Sequence, residues 1–214
     1  MGIYNERDRS RVMKAVESIL DQTYDKFEFI ICDDGSEQEF YDWLKQYCKK
    51  DTRIRLLRKT QNGGLAAALN ACLAEAKGDY VARMDADDLS KPDRFERQLD
   101  FLTAHPEYAL TGCGAELIDG EGSWGKRIPA ETPQKSDFLW NSPFIHPTVI
   151  IRKNVLEELG GYVTAAYAER TEDYDLFMRM YAAGYQGYNL QECLFQYRED
   201  RKAYAKRKYR YRIN

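Results

Sequence analysis

The chain has 214 residues, 43% of them hydrophobic, and a net charge of -3; that is enough for one large domain or two small ones with a sizeable core. The acidic balance gives no electrostatic reason to bind nucleic acid. The five cysteines (Cys32, Cys48, Cys72, Cys113, Cys193) are odd in number and never form a Cys-x-x-Cys, which argues against a disulfide framework and a zinc site and points to a reducing compartment. No apolar run approaches the roughly 20 residues that cross a bilayer, and no signal peptide opens the sequence, so the expectation is a soluble or peripheral protein.

In chain order, Asp8 to Thr23 carries Val12, Val16, Ile19 and Leu20 at helical spacing. Phe27 to Cys32 is a buried strand that runs into Asp33-Asp34-Gly35-Ser36, where Ser36 and Glu39 have the spacing of a capping box. Phe40, Trp43, Leu44, Tyr47 and Cys48 then give the following helix an apolar stripe. Ile54 to Arg58 is a third strand. Asn62-Gly63-Gly64 leads into a helix whose apolar face holds Leu65, Leu69, Cys72, Leu73 and Ala76, with Gly78 as its C-terminal cap. The strand Tyr80 to Met84 ends in Asp85-Ala86-Asp87-Asp88, and Pro92 suits the first turn of a helix carrying Phe95, Leu99 and Leu102.

Strand and helix alternate to residue 104, which predicts a parallel sheet covered by helices on both faces, with ligands at the carboxyl ends of its strands. Both acidic loops, 33–34 and 85–88, lie at such ends. An isolated Asp-x-Asp is more often a solvated turn. Clustered carboxylates raise one another's pKa unless a cation neutralises them, and hard oxygen ligands suit Mg²⁺ or Mn²⁺ that hold substrate phosphates. Two such loops on one rim would converge on a single crevice.

Beyond residue 105 the rhythm changes. Ala109 to Cys113 is strand-like, and Gly112, Gly114, Gly120, Gly122 and Gly125 are expected to break the run; Thr148 to Ile151 is a further strand. His146 is one of two histidines, more readily a hydrogen-bonded structural residue than a catalyst. Glu172-Asp173 opens a helix with Leu176, Phe177, Met180 and Tyr181 on its apolar side. Acids suit a first helical turn for electrostatic reasons alone, and a general base facing the crevice would have the same local spacing. The tail from Arg198 to Asn214 is basic and tyrosine-rich. It has the character of a solvated helix face or of a segment that packs on further residues, and its basic and tyrosine content would also suit contact with nucleic acid or an anionic membrane surface.

Taken together, Tyr4-Asn5, Ser18 to Thr23, Asp33 to Ser36, Asn62 to Asn70, Gly78-Asp79-Tyr80, Asp85 to Asp88, Pro92-Asp93-Arg94, His146-Pro147, Gly160-Gly161-Tyr162 and Glu172 to Asp175 resemble a family 2 glycosyltransferase, in the family's order and across nearly the whole chain. The resemblance implies an α/β fold of GT-A type: a Rossmann-like sandwich with a central, mostly parallel sheet and a smaller mixed second half. The chain would then be a single domain, 1–214, with a nucleotide-binding half to 104, an acceptor and catalytic half at 105–197, and a basic tail at 198–214. The implied enzyme is metal-dependent and inverting. It would move a sugar from a nucleoside-diphosphate sugar, expected to be UDP-linked, to a hydroxyl of a saccharide or lipid-linked acceptor in polysaccharide, cell-surface glycan or lipid-linked oligosaccharide synthesis.

By the same resemblance Tyr4 lies against the nucleotide base, Asp34 accepts from the base's N–H edge, Asp85 sits near ribose and metal, Asp87 ligates Mn²⁺ or Mg²⁺ on the diphosphate, and Asp173 deprotonates the acceptor. The location implied is cytoplasmic, at the inner face of the membrane if the basic tail makes contact there. Family members also carry an apolar strand, central in the sheet, just before the segment that matches Met1 to Asn5. A nucleotidyltransferase making nucleotide sugars would share the sheet but needs a Gly-rich, basic triphosphate loop, and none is visible. A truncated, non-catalytic nucleotide-binding fragment is the other alternative.

Overall fold

The computed structural model describes residues 1–202 and 204. Its first part is an alternation of strand and helix: β1 (Gly2–Ile3), α1 (Arg9–Leu20), β2 (Phe29–Asp33), α2 (Gln38–Cys48), β3 (Ile54–Arg58) and α3 (Gly64–Glu75). The three strands form a parallel sheet in the order β1-β2-β3. Asp8 starts α1 by accepting from the backbone N–H groups of Ser10 and Arg11, which satisfies donors that a helix start leaves open.

The second sheet has six strands. β4 (Tyr80–Ala82), β5 (Leu89–Ser90), β6 (Tyr108–Asp119), β8 (Ile150–Arg152) and β9 (Gln186–Arg198) run in the order β4-β8-β6-β9-β5, and β7 (Gly122–Arg127) forms a hairpin with β6. Only the β6–β9 pairing is parallel. α4 (Arg94–Ala104), α5 (Lys153–Glu158) and α6 (Glu172–Ala182) complete the element order. β4 and β5, from the first 104 residues, pair with strands from beyond residue 104. The result is a mixed α/β fold of a small parallel sheet and a larger mixed one.

Two sequence expectations change here. Gly112 and Gly114 do not break a strand; they lie inside the twelve-residue β6. A Cβ at Gly112 would stand 2.3 Å from Asn189 Oδ1, and one at Gly114 would stand 3.1 Å from the Glu192 carbonyl oxygen. These glycines let β9 approach closely. Ser36 does not cap α2 either. It accepts from the Asn5 backbone N–H at 2.9 Å, while Asn5 Oδ1 accepts from the Glu37 N–H at 2.9 Å, so the pair fastens the end of β1 to the start of α2.

The central sheet is also split. The Cys32 and Asp34 N–H groups donate toward β1, to Met1 and Ile3, and the Phe29 N–H donates to Arg53 on the β3 side. Strand alternation therefore turns the Ile30 N–H away from β3, toward a cavity of about 630 Å³ lined by Ile30, Cys72, Tyr80, Ala82 and Met84 among others. β1 spans only two residues and forms no ladder with β4. The cavity occupies the gap between the two sheet edges, and the Met1 amine donates to the Ile30 carbonyl at 2.8 Å.

Beside this gap, Arg94 fastens together the chain segments that carry the acidic loop and His146. It is fully buried, donates from Nη1 to the Pro147 carbonyl at 3.0 Å and from Nη2 to the Arg83 carbonyl at 3.1 Å, and lies against the rings of Phe95 and Phe195. Burial lowers its pKa to about 10, which leaves it charged at neutral pH. Arg94→Leu removes two charge-assisted bonds worth about 1.5–3 kcal/mol each but also removes the cost of burying a cation. The expected outcome is a net loss of about 2 kcal/mol, read as a lower urea midpoint at unchanged m-value.

Candidate active site

β4 ends at Ala82, and the chain turns through residues 83–88. Arg83, nearly buried, donates to Asp85 Oδ1 at 2.6 Å and to the Met84 carbonyl. Asp87 is raised above the ordinary carboxylate range by burial first, then by the charges of Asp85 and Glu6. Asp88 is more extreme. It is 1% exposed, its Oδ1 accepts from the Arg198 N–H at 2.7 Å, and its Oδ2 has no hydrogen-bond partner among the described residues. Burial, with Asp85 and Asp87 adding repulsion, pushes Asp88 up to about 8.

Asp173 is the second residue of α6. Burial raises its pKa, opposed by the backbone N–H groups of Tyr174 and of Asp173 itself, the donors that a first helical turn offers an anion. Asp85 and Asp173 face a common pocket of about 240 Å³, lined also by Arg127, His146, Arg170 and Tyr197. The fold thus brings together two acids 88 positions apart in the chain.

His146 is buried, with Nε2 2.8 Å from the Tyr162 hydroxyl and its ring edge-on to Tyr162 and Phe177. Burial holds its pKa well below the usual value, so it is neutral at pH 7.

Tyr4, Asp34 and Asp87 lie outside the lining of that pocket. Tyr4 is 51% exposed just past β1, and the influence of Glu6 on Asp87 places the segment after Tyr4 near the acidic loop. Asp34 is 3% exposed. Its Oδ1 accepts from Lys59 Nζ at 2.6 Å, and its carboxylate also accepts from the N–H groups of Gly63 and Gly64 at 2.8–3.1 Å. That accounts for Gly64, whose φ of +82° turns its N–H to Asp34 in a conformation that glycine adopts freely. Asp34 therefore braces the loop before α3.

Among the described residues no three His, Cys, Asp or Glu side chains group as metal ligands. Mg²⁺ and Mn²⁺ at phosphate sites are commonly held by one or two carboxylates together with the phosphates and water, so a complete protein cage is not required. The raised Asp87 and Asp88, with Asp88 Oδ2 unpartnered among the described residues, mark carboxylates held close together with too few donors to favour their charged forms, a state that a divalent cation would reverse. The chemistry of carboxylate oxygens suits such an ion, and Asp87 and Asp85 are the carboxylates on this loop that would be available to it.

Sequence reasoning missed Arg83, Arg94 and Arg198 as organisers of this region. A charge inside the apolar run Tyr80 to Met84 was the available signal for Arg83. Arg198 was counted with the basic tail, yet its N–H binds Asp88 and its Nε donates to the Asp87 carbonyl at 2.9 Å. Arg201 likewise pairs with Asp119 at 2.6 Å. Of the remaining tail, residues 203 and 205–214 lie outside the described residues.

On this pair of sheets a strand-delivered acid loop stands across a pocket from a helix-borne acid. The chain belongs to glycosyl transferase family 2, whose pattern matches residues 1–160. It is 41% identical over 216 residues to EpsE of Bacillus subtilis, covering 100% of this chain and 77% of that protein. It is 29% identical over 201 residues to an Escherichia coli UDP-Gal:alpha-D-GlcNAc-diphosphoundecaprenol beta-1,3-galactosyltransferase, covering 92% of this chain and 72% of that one. Among solved structures, the mannosyltransferase PcManGT of Pyrobaculum calidifontis, in complex with GDP-Man and Mn²⁺, superposes with TM-score 0.73 at 21% identity over 98% of this chain. TarS 1-349 of S. aureus with UDP-GlcNAc superposes with TM-score 0.72 at 18% identity over 93%. The chain spans 58% of the length of each of these two structures.

His146→Ala is expected to cost about 2–4 kcal/mol through a lost ring and hydrogen bond. The folded pKa is depressed, so below the ordinary value of 6.5 the unfolded chain binds a proton that the buried ring refuses, and stability falls with pH. The variant lacks that contribution. Urea midpoints of parent and variant should therefore lie closer together at pH 5 than at pH 7.5.

Proposed function

We propose that the protein transfers a sugar, with inversion, from a UDP-linked donor to a hydroxyl of a saccharide or lipid-linked acceptor in polysaccharide or cell-surface glycan synthesis. The observation that carries this is the single pocket facing both Asp85 and Asp173 in a family 2 chain. UDP is favoured by the UDP-sugar in the name of the E. coli relative and by the UDP-GlcNAc complex of TarS. The same E. coli name supports a lipid-linked acceptor.

In this reading Tyr4, exposed beside the β1 end, stacks on the base. Asp34 braces the loop that frames the base, and turns an oxygen to the base N–H only by releasing one of its present donors. Asp85 and Asp87 face the ribose and diphosphate and would hold Mn²⁺ or Mg²⁺. A bound cation neutralises the charge that develops on the leaving nucleoside diphosphate.

Asp173 takes the proton of the acceptor hydroxyl as its oxygen attacks the anomeric carbon. The new C–O bond forms while the bond to the diphosphate oxygen breaks on the opposite face, which inverts the centre. A base raised by burial accepts a proton more readily near neutrality than an exposed aspartate does. Among the described residues no helix is long and apolar enough to cross a membrane; a location on the cytoplasmic side belongs to the same proposal.

Calorimetry with UDP and Mn²⁺ tests the donor site: metal-dependent binding is expected, and its absence for every nucleoside diphosphate would reject the proposal. Asp87→Ala should weaken that binding about tenfold or more. Asp173→Asn should leave UDP affinity within about twofold while transfer falls by about 10²–10⁴-fold, the range for loss of a general base. Unchanged turnover would remove Asp173 from that role.

A further inference from the structure

The five cysteines are free thiols, and two of them meet away from the candidate active site. Cys32 lies in β2 and Cys72 in α3. Cys32 pairs in register with Gly2 of β1, so both point to one face of the sheet. A Cβ on Gly2 would stand 3.1 Å from Ala68 Cβ, which makes that face the one α3 covers. Cys72 follows Ala68 by one helical turn, on the same side of α3.

The backbone around Cys72 fixes its place. Its Sγ lies 3.7 Å from the Ile30 carbonyl oxygen and 3.8 Å from that of Met1, and the Met1 carbonyl also accepts from the Cys32 N–H at 2.9 Å. The two thiols hydrogen-bond to each other. A disulfide needs Cβ atoms about 3.8 Å apart. A helix comes that close to a strand where the sheet lacks a side chain beneath it, as at Gly2.

The pair is not symmetric. Cys32 is 0% exposed, whereas Cys72 is half-buried and lines the cavity of about 630 Å³, whose lining reaches the exposed Lys77, Gly78 and Asp79. A small solute therefore has access to Cys72 and not to Cys32. As a thiol, Cys72 has the two carbonyls as acceptors. As a thiolate it takes the hydrogen bond of the Cys32 thiol; that bond, opposed by burial and helped by the Met1 ammonium and Arg83, lowers its pKa. Cys32, the donor, is raised by the same bond and by burial. The thiolate is the form that attacks an oxidant.

We propose that Cys72 and Cys32 form an oxidative modification site: hydrogen peroxide entering the cavity oxidises Cys72, and Cys32 resolves the product to a disulfide that ties α3 to β2. In the first step the Cys72 sulfur bonds to one peroxide oxygen, the O–O bond breaks, and the leaving hydroxide takes up the Cys72 proton as water. In the second, the Cys32 sulfur attacks the sulfenic sulfur of Cys72. The S–S bond forms, the S–O bond breaks, and the hydroxide leaves with the Cys32 proton as a second water. Two thiols give up two electrons and two protons to one peroxide. In a reducing compartment such a bond is transient.

Trypsin leaves each cysteine in a separate peptide, with Cys32 in 27–45 and Cys72 in 60–77. The folded chain, treated with a small excess of hydrogen peroxide at pH 7 and alkylated before digestion, should lose two hydrogens and yield those two peptides joined. Dithiothreitol should separate them. Cys72 should react at least about tenfold faster than Cys193, which is also half-buried. Cys32→Ala should stop at a sulfenic acid on Cys72, trapped by dimedone, and Cys72→Ala should leave Cys32 a free thiol. The proposal is overturned if the joined peptides carry Cys48, Cys113 or Cys193, if Cys72 goes on to the sulfinic acid while Cys32 stays free, or if Cys193 oxidises before Cys72. These three outcomes are read on the parent chain, so they decide the matter whether or not either variant folds.

Discussion

The site depends on a buried cation that touches no substrate. Arg94 spans the carbonyls of Arg83 and Pro147, and these lie two residues before Asp85 and one after His146. A guanidinium between two aromatic rings, 0% exposed, is costly to desolvate, and only fixed acceptors on both arms make the burial tolerable. Its effect is to tie the residues after β4 to those before β8, beyond the end of the β4–β8 ladder, where the Arg83 N–H already donates to the Val149 carbonyl at 2.9 Å. Gln98 works alongside it, donating to the Thr111 and Thr148 carbonyls at 3.0 Å. Loops at catalytic rims gain their precision from this kind of side-chain-to-backbone bridge.

With the loops fixed, the electrostatics follow. Asp87, Asp88 and Asp173 are all raised above the ordinary carboxylate range, each by burial before any other cause. Arg83 offsets part of this charge and Arg198 supplies an N–H to Asp88, yet one Asp88 oxygen keeps no partner among the described residues. A rim that concentrates anions in this way favours the binding of a cation and, with it, of a diphosphate. The same burial raises the proton affinity of Asp173, the residue proposed above as the base.

Much of the first half was legible in the sequence because it is locally encoded. Hydrophobic periodicity gave α1, α2, α3 and β2, and the position of Asp34 and Asp85 at strand ends follows from the alternation of elements. Where two solutions compete for one side chain, local spacing misled. Ser36 has the spacing of a cap but accepts from Asn5, because the helix begins one residue later than that spacing requires, with Glu37 at its N-cap. Gly112 and Gly114 look like breakers until β9 is seen pressing against them. Arg198 belongs to a basic tail in the sequence and to the acidic loop in space.

The sequence by itself determined the family, the acidic motif and the helix that begins at Glu172, since each is carried by residues close in the chain. Tertiary structure alone decided which acids meet. Asp85 and Asp173 share a pocket, while Asp34 is turned to the Gly63-Gly64 backbone, because the exposure of a carboxylate depends on which distant donors reach it first. It also set β4 and β5, from the first 104 residues, into one mixed sheet with strands from beyond residue 104.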